Sequence, residues 1–228
     1  MTTPPPASIL RPQLLRGGIA TLAPGSNHLQ KVIELQYNPD SITRTLTPPT
    51  SAGGSGDRLD VLRLRGPAAE TVRVDVEIDA TDDLATADAS AAGALASRYG
   101  LLPRLAELEA LLSPTVGQMQ DNFRLADQGI LELSPAETPL TLFVWGRRRV
   151  MPVTITDLTV TEESFDTALN PTRARLTLQM RILTPSDLPF THAGSSVFLA
   201  YLSQQTDLAE RQPAGALPHL GISSIPGV

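Results

Sequence analysis

Two stretches of this chain alternate strictly, and they restrict its fold more than anything else in it. From Thr71 to Ile78, Val72, Val74, Val76 and Ile78 alternate with Arg73, Asp75 and Glu77. From Arg173 to Leu183, Ala174, Leu176, Leu178, Met180 and Ile182 alternate with Arg173, Arg175, Thr177, Gln179 and Arg181. Successive side chains of a strand point to opposite faces, so this period describes strands with one face buried and one wet. Such strands belong to antiparallel sheets; strands of parallel sheets are covered on both faces and read as continuous apolar runs.

Further strands fit the same frame. Lys31 to Tyr37 is rich in β-branched and aromatic residues and stops at the turn signal Asn38-Pro39-Asp40-Ser41. Ile42 to Leu46 is expected to return from that turn as its hairpin partner. Leu59 to Leu64 is a short strand candidate after the flexible loop 47–58. Thr141 to Trp145 is a strong apolar strand, Gly146 to Arg149 a hairpin tip, and Val150 to Val160 the returning strand. Pro152 in that strand points to an edge or a bulge, because proline cannot donate to a ladder. Glu162 to Pro171 reads as a polar turn around Phe165.

Helical signals are fewer. Residues 80–100 are alanine-rich and predict a helix start capped by Asp82 or Asp83. Leu101, Leu105, Leu108 and Leu112 recur at helical spacing, with Pro103 in the first turn and Pro114 as the stop. Residues 115–138 are ambiguous. Ser195 to Glu210 predicts a C-terminal helix. Six or seven strands without repeated βα alternation predict a mainly β, α+β fold: an antiparallel β sandwich or barrel with one internal helix and a C-terminal helix. The division expected is an extended N-terminal arm (1–27), a β-rich domain (28–184), and a C-terminal helix with a Pro/Gly-rich tail (185–228). Arm and tail are expected to order only in an assembly.

Composition removes several functions. The 228 residues hold no cysteine and three histidines. Disulfides, thiolate metal sites and a cysteine nucleophile are therefore excluded. His28, His192 and His219 stand alone, with no second histidine at ligand spacing. Lys+Arg 18 against Asp+Glu 24 gives a net charge of −6, which argues against nucleic acid held by bulk charge. No stretch approaches the ~20 apolar residues of a membrane span, and the N-terminus lacks the pattern of a secretory signal. Membrane insertion is not expected and the cytoplasm is.

Candidate chemistry is sparse. Gly53-Gly54-Ser55-Gly56 has no lysine after it to hold a phosphate. Asp79, Asp82 and Asp83 offer a metal cluster or an acid–base pair, but acids where a strand ends and a helix begins have a structural use at the helix N-terminus. Glu162, Glu163 and Asp166 read the same way, as partners for Arg147 to Arg149 or Arg173. Arg147-Arg148-Arg149 is the basic run of the chain; taken alone it reads as a solvated hairpin tip, and as a contact it suits a protein partner with an acidic face better than nucleic acid. No cofactor and no enzymatic activity are expected.

The order of four landmarks carries a resemblance. Tyr37-Asn38-Pro39-Asp40-Ser41 follows the first strand, and Val74 to Thr81 runs into an acidic end at Asp79. Phe143-Val144-Trp145-Gly146 and then Asn170-Pro171-Thr172-Arg173-Ala174-Arg175 precede later strands. Over about residues 30 to 184 this resembles the N-terminal domain of the LysM-type, tube-associated baseplate proteins of contractile injection systems, which are phage-tail-like particles. Leu169 stands where that pattern has a glycine, and no LysM segment follows.

The resemblance implies a structural baseplate component joining the inner tube protein or spike hub protein to the surrounding wedge proteins, with six copies around the tube, in a particle that works inside the producing cell or is released. A tube cap, terminator or initiator is the alternative. A ligand-binding β sandwich is more distant, since one Trp, three Tyr and five Phe make a poor aromatic cleft. In this reading Asn38 and Pro39 fix a hairpin turn, Trp145 and Gly146 anchor and turn the next one, and Arg173 and Arg175 are free to meet a carboxylate of a neighbouring subunit.

Overall fold

A computed structural model describes residues 14–49, 64, 66–85, 87, 89–128 and 138–225. The expected strand at Leu59 to Leu64, but for Leu64, and the expected loop 47–58 beyond residue 49 lie outside the described residues. Seven antiparallel strands form one sheet: β1 (Gly18–Leu22), β2 (Leu29–Glu34), β3 (Ile42–Thr47), β4 (Ala69–Asp79), β5 (Leu140–Val144), β6 (Val150–Phe165) and β7 (Pro171–Ile182). Their order across the sheet is β2-β1-β5-β6-β7-β4-β3. The fold is mainly β with helices, α+β, as the alternating strands require.

The two alternating stretches lie side by side. β4 pairs with β7 from Thr71↔Arg181 to Asp79↔Arg173. That register puts Val72, Val74, Val76 and Ile78 beside Met180, Leu178, Leu176 and Ala174, all buried. A slip of one residue would turn every one of them to water. The same core takes Ile19 of β1, Ile33 of β2, Phe143 of β5, and Met151 and Val153 of β6.

The sheet curls. A flat strip would hold β2 and β4 about 24 Å apart. Instead the Gln36 side chain donates to the backbone oxygen of Asp79 at 2.8 Å and accepts from its N–H at 3.0 Å. Gln36 lies just past β2 and Asp79 is the last residue of β4, so the two regions meet.

Three expectations need correction. Residues 35–41 do not close a hairpin: β2 and β3 are the two outermost strands of the sheet. β2 is instead taken by β1, from Gly18↔Glu34 to Leu22↔Leu29. Part of the expected arm is thus an interior strand, between β2 and β5. Two glycines hid it, and one is required: a Cβ on Gly18 would meet the Ile33 carbonyl oxygen at 2.6 Å. Second, Pro152 is in an interior strand rather than at an edge, and the bulge of that strand lies further on, between Ile155 and Asp157. The Pro152 backbone oxygen accepts from Leu183, just past the last β6–β7 pair, Val153↔Ile182. Its missing N–H therefore faces the place where the ladder has ended. Third, Glu162 to Phe165 belong to β6, and the turn shrinks to 166–170.

Among the described residues four helical segments, not one, separate β4 from β5: α1 (Thr81–Leu84), α2 (Ala91–Tyr99), α3 (Leu102–Glu109) and α4 (Val116–Asp127). Asp82 and Asp83 lie in the first turn of α1, whose N-cap is Ala80, while Ser90 caps α2 by accepting from Gly93 N–H. Leu105 and Leu108 of α3, with Leu101 before it, complete the core at the end where β4 finishes and β7 begins. There Leu101 N–H donates to the Pro171 oxygen at 2.8 Å. Leu112 is outside this core and exposed. α5 (Ala193–Glu210) supplies Phe198 and Tyr201 to the core near the start of β4. A short 3-10 turn at Leu217–Leu220 follows.

Candidate functional site

The acidic residues at the end of β4 are held by neighbours in the chain. Asp79 accepts from both the N–H and the hydroxyl of Thr81, which keeps its carboxyl below the ordinary range despite some burial. Asp82 accepts from the Tyr37 hydroxyl at 3.0 Å, and Asp83 pairs with Arg104 at 2.7 Å. Among the described residues no group of three His, Asp or Glu is placed to hold a metal ion. His192 is the N-cap of α5, its Nδ1 accepting from Gly194. Among the described residues no helix is long and apolar enough to cross a membrane.

The expected free arginines divide into two sets. Arg173 is not free: it reaches Glu77 at 2.9 Å and Asp79 at 3.6 Å across the β4–β7 pair. Arg175 meets Glu163 at 3.5 Å. Their strand places each beside a carboxylate on the wet face, so each has a cross-strand partner within the chain. Arg147, Arg148 and Arg149 are exposed and form no ion pair among the described residues. They stand on the β5–β6 turn, closed by Trp145 N–H donating to the Arg149 oxygen at 2.7 Å. Gly146 supplies the positive φ of 80° that this turn needs. Trp145 is half-buried and stacks on Phe143, its ring pressed against Gly17.

Asn38 does more than turn the chain. It accepts from Gly17 N–H at 2.9 Å and donates to the Leu15 oxygen at 2.8 Å, which pins the approach to β1. With Pro39 it begins the crossing from one outer strand to the other.

The β6–β7 turn is the least expected feature. Asp166 N–H donates to the Asn170 oxygen and Leu169 N–H to the Asp166 oxygen. This is a tight turn followed by one residue in the left-handed region, a position that normally takes glycine. Here it is Leu169, at φ 65° and 80 % exposed. Phe165 beside it is 53 % exposed. Asp166 is held below its ordinary pKa by hydrogen bonds from the Asn170 side chain and backbone, with a further one from Ala168 N–H. Pro171 then opens β7.

Two other groupings escaped the sequence reading. Glu70, buried on the inner face of β4, pairs with Arg44 of β3. Arg44 also donates to the Tyr201 hydroxyl at 2.7 Å. Burial, then the Glu70 carboxylate, pushes the Tyr201 hydroxyl above its ordinary pKa. A groove of about 910 Å³ opens at the other end of the β6–β7 hairpin. Leu111, Leu112, Leu140, Ile155 and Leu183 give it an apolar part, and His192 lines it too. Neither grouping has a local sequence signature, because each is assembled from distant elements.

No protein-family model matches the chain, and no curated protein matches it.

Proposed function

We propose that this chain is a structural, non-enzymatic component of the baseplate of a contractile injection system, joining the inner tube or spike hub to the surrounding wedges. The observation that carries the reading is the backbone at Leu169. The resemblance pattern has a glycine there, and the chain adopts at that residue the positive φ that glycine would supply. The residue departs from the pattern while the backbone has the shape a glycine would give, which is compatible with the reading. The other landmarks support it at the level of element: Asn38 before β3, Asp79 at the end of β4, Trp145-Gly146 in the β5–β6 turn, and Pro171 opening β7. The exposed Arg147 to Arg149 turn is the surface assigned to contacts between subunits.

The test is a mild affinity pull-down of tagged protein from its native cell, viewed by negative-stain electron microscopy. Rods with sheath and baseplate, labelled at one end, are expected, and the labelled end separates baseplate from cap. A clean monomer without rods overturns the reading.

A further inference from the structure

Leu169 combines two unfavourable features at one residue. A leucine in the left-handed region places its Cβ against its own backbone. Its side chain is 80 % exposed and so buries little against the described residues. Phe165, across the same turn, adds a second exposed apolar side chain. The surface continues onto the neighbouring helices, for Asn170 donates to the Arg98 oxygen and Pro171 accepts from Leu101. Tyr99 and Leu102 there are 38 % and 43 % exposed. Strained backbone persists where something else repays it, and a contiguous apolar patch marks a contact surface.

The complementary surface is on the same chain. The groove lined by Leu112, Leu140, Ile155 and Leu183 lies toward the opposite end of the β6–β7 hairpin. Ten residues of β6 separate Ile155 from Phe165, roughly 33 Å. Charge follows the same axis: Arg147 to Arg149 stand beyond the groove end of β6. Near the other end is Glu162, which forms no ion pair among the described residues.

We infer that the Phe165–Leu169 turn is an apolar knob that seats in the groove of a second copy of this chain, in a head-to-tail contact. Knob and groove are different surfaces, so a pair of copies keeps one knob and one groove unused and the contact propagates, as a ring or a row. The inference stands apart from the baseplate reading, since it needs only two surfaces of this chain.

The test uses purified full-length protein in sedimentation velocity over a range of concentration. Wild type is expected to grow beyond the dimer. Leu169→Gly removes the knob and relieves the backbone, so it should be monomeric with a melting temperature equal to or above wild type. Leu112→Arg, at an exposed residue of the groove, should also be monomeric. Mixed together, the two variants should form a dimer and nothing larger, because only one knob and one groove remain between them. A wild type that stays monomeric overturns the proposal. So does a Leu169→Gly protein that melts earlier than wild type, which would make Leu169 a folding residue. A mixture that stays monomeric, or a groove cross-linked to residues 129–137 of its own chain, overturns it as well.

Discussion

Single residues in this chain are decided by what lies opposite them, and Asp187 shows it. Burial alone would raise its pKa, but the Thr184 N–H, the Arg181 guanidinium and the Thr184 hydroxyl all bind its charged form, and the net shift is downward. The fold therefore favours the carboxylate. The stability it contributes is complete above the ordinary carboxylate range, about pH 4, and is lost as pH falls through its lower native value. Asp187→Asn should lower the melting temperature at pH 7. The difference from wild type should shrink as pH falls from about 4 toward 2, as followed by thermal melts across that range. Parallel melting curves at every pH would show that Asp187 acts by packing alone. Arg173 belongs to the same argument. Its residue type suits a partner subunit, and within the chain Glu77 and Asp79 on the adjacent strand already stand beside it. A sequence gives the charge of a residue and not its distance to the nearest opposite charge.

Elements were legible where their periodicity was local. The β4 and β7 patterns, the β5–β6 hairpin with its tip, and α5 all stand close to where the sequence places them. Pairing was less legible. β2 and β3 are neighbours in sequence across a strong turn, yet β1, a five-residue strand with two glycines before its apolar residues, takes β2 away. The short strand has no period to detect, and its partner choice is tertiary. The attachment of α5 was hidden for the same reason. It rests on Glu70, a charged residue on an otherwise apolar face, whose use appears only when Arg44 and Tyr201 are brought to it. Glu70→Ala would leave the Arg44 guanidinium, 27 % exposed, without its carboxylate. We expect a loss of roughly 2–3 kcal/mol, below the range for a wholly buried pair. Tyr201→Phe should cost about 1 kcal/mol, one hydrogen bond. Urea unfolding measures both, and hydrogen exchange should show α5 opening before β4 and β7 in each variant. Equal, small losses from both would mean that Phe198 and its apolar neighbours hold the helix, with the polar group incidental.

The whole molecule has two dissimilar ends, and their difference gives a test that the residues alone do not. At one end the β5–β6 turn carries Arg147, Arg148 and Arg149, exposed and without ion pairs among the described residues. At the other end the β6–β7 turn carries Leu169 and Phe165. Reversing all three arginines to glutamate should leave the melting curve close to wild type, since surface changes of this kind usually stay within about 0.5 kcal/mol. Assembly should nevertheless be lost if the basic turn meets an acidic face. Salt separates the two contributions. Exposed charges are screened over about 8 Å at physiological ionic strength, whereas apolar burial is not weakened by screening. In sedimentation velocity at rising sodium chloride, an assembly held by the arginines should dissociate, and one held by the Leu169 turn should persist. A wild-type assembly that loosens with salt but does not fall apart would require both ends. In that case the arginine-reversed protein should behave at low salt as wild type does at high salt. If charge reversal leaves assembly intact at every salt concentration, the basic turn is no part of the contact and the apolar turn carries it alone.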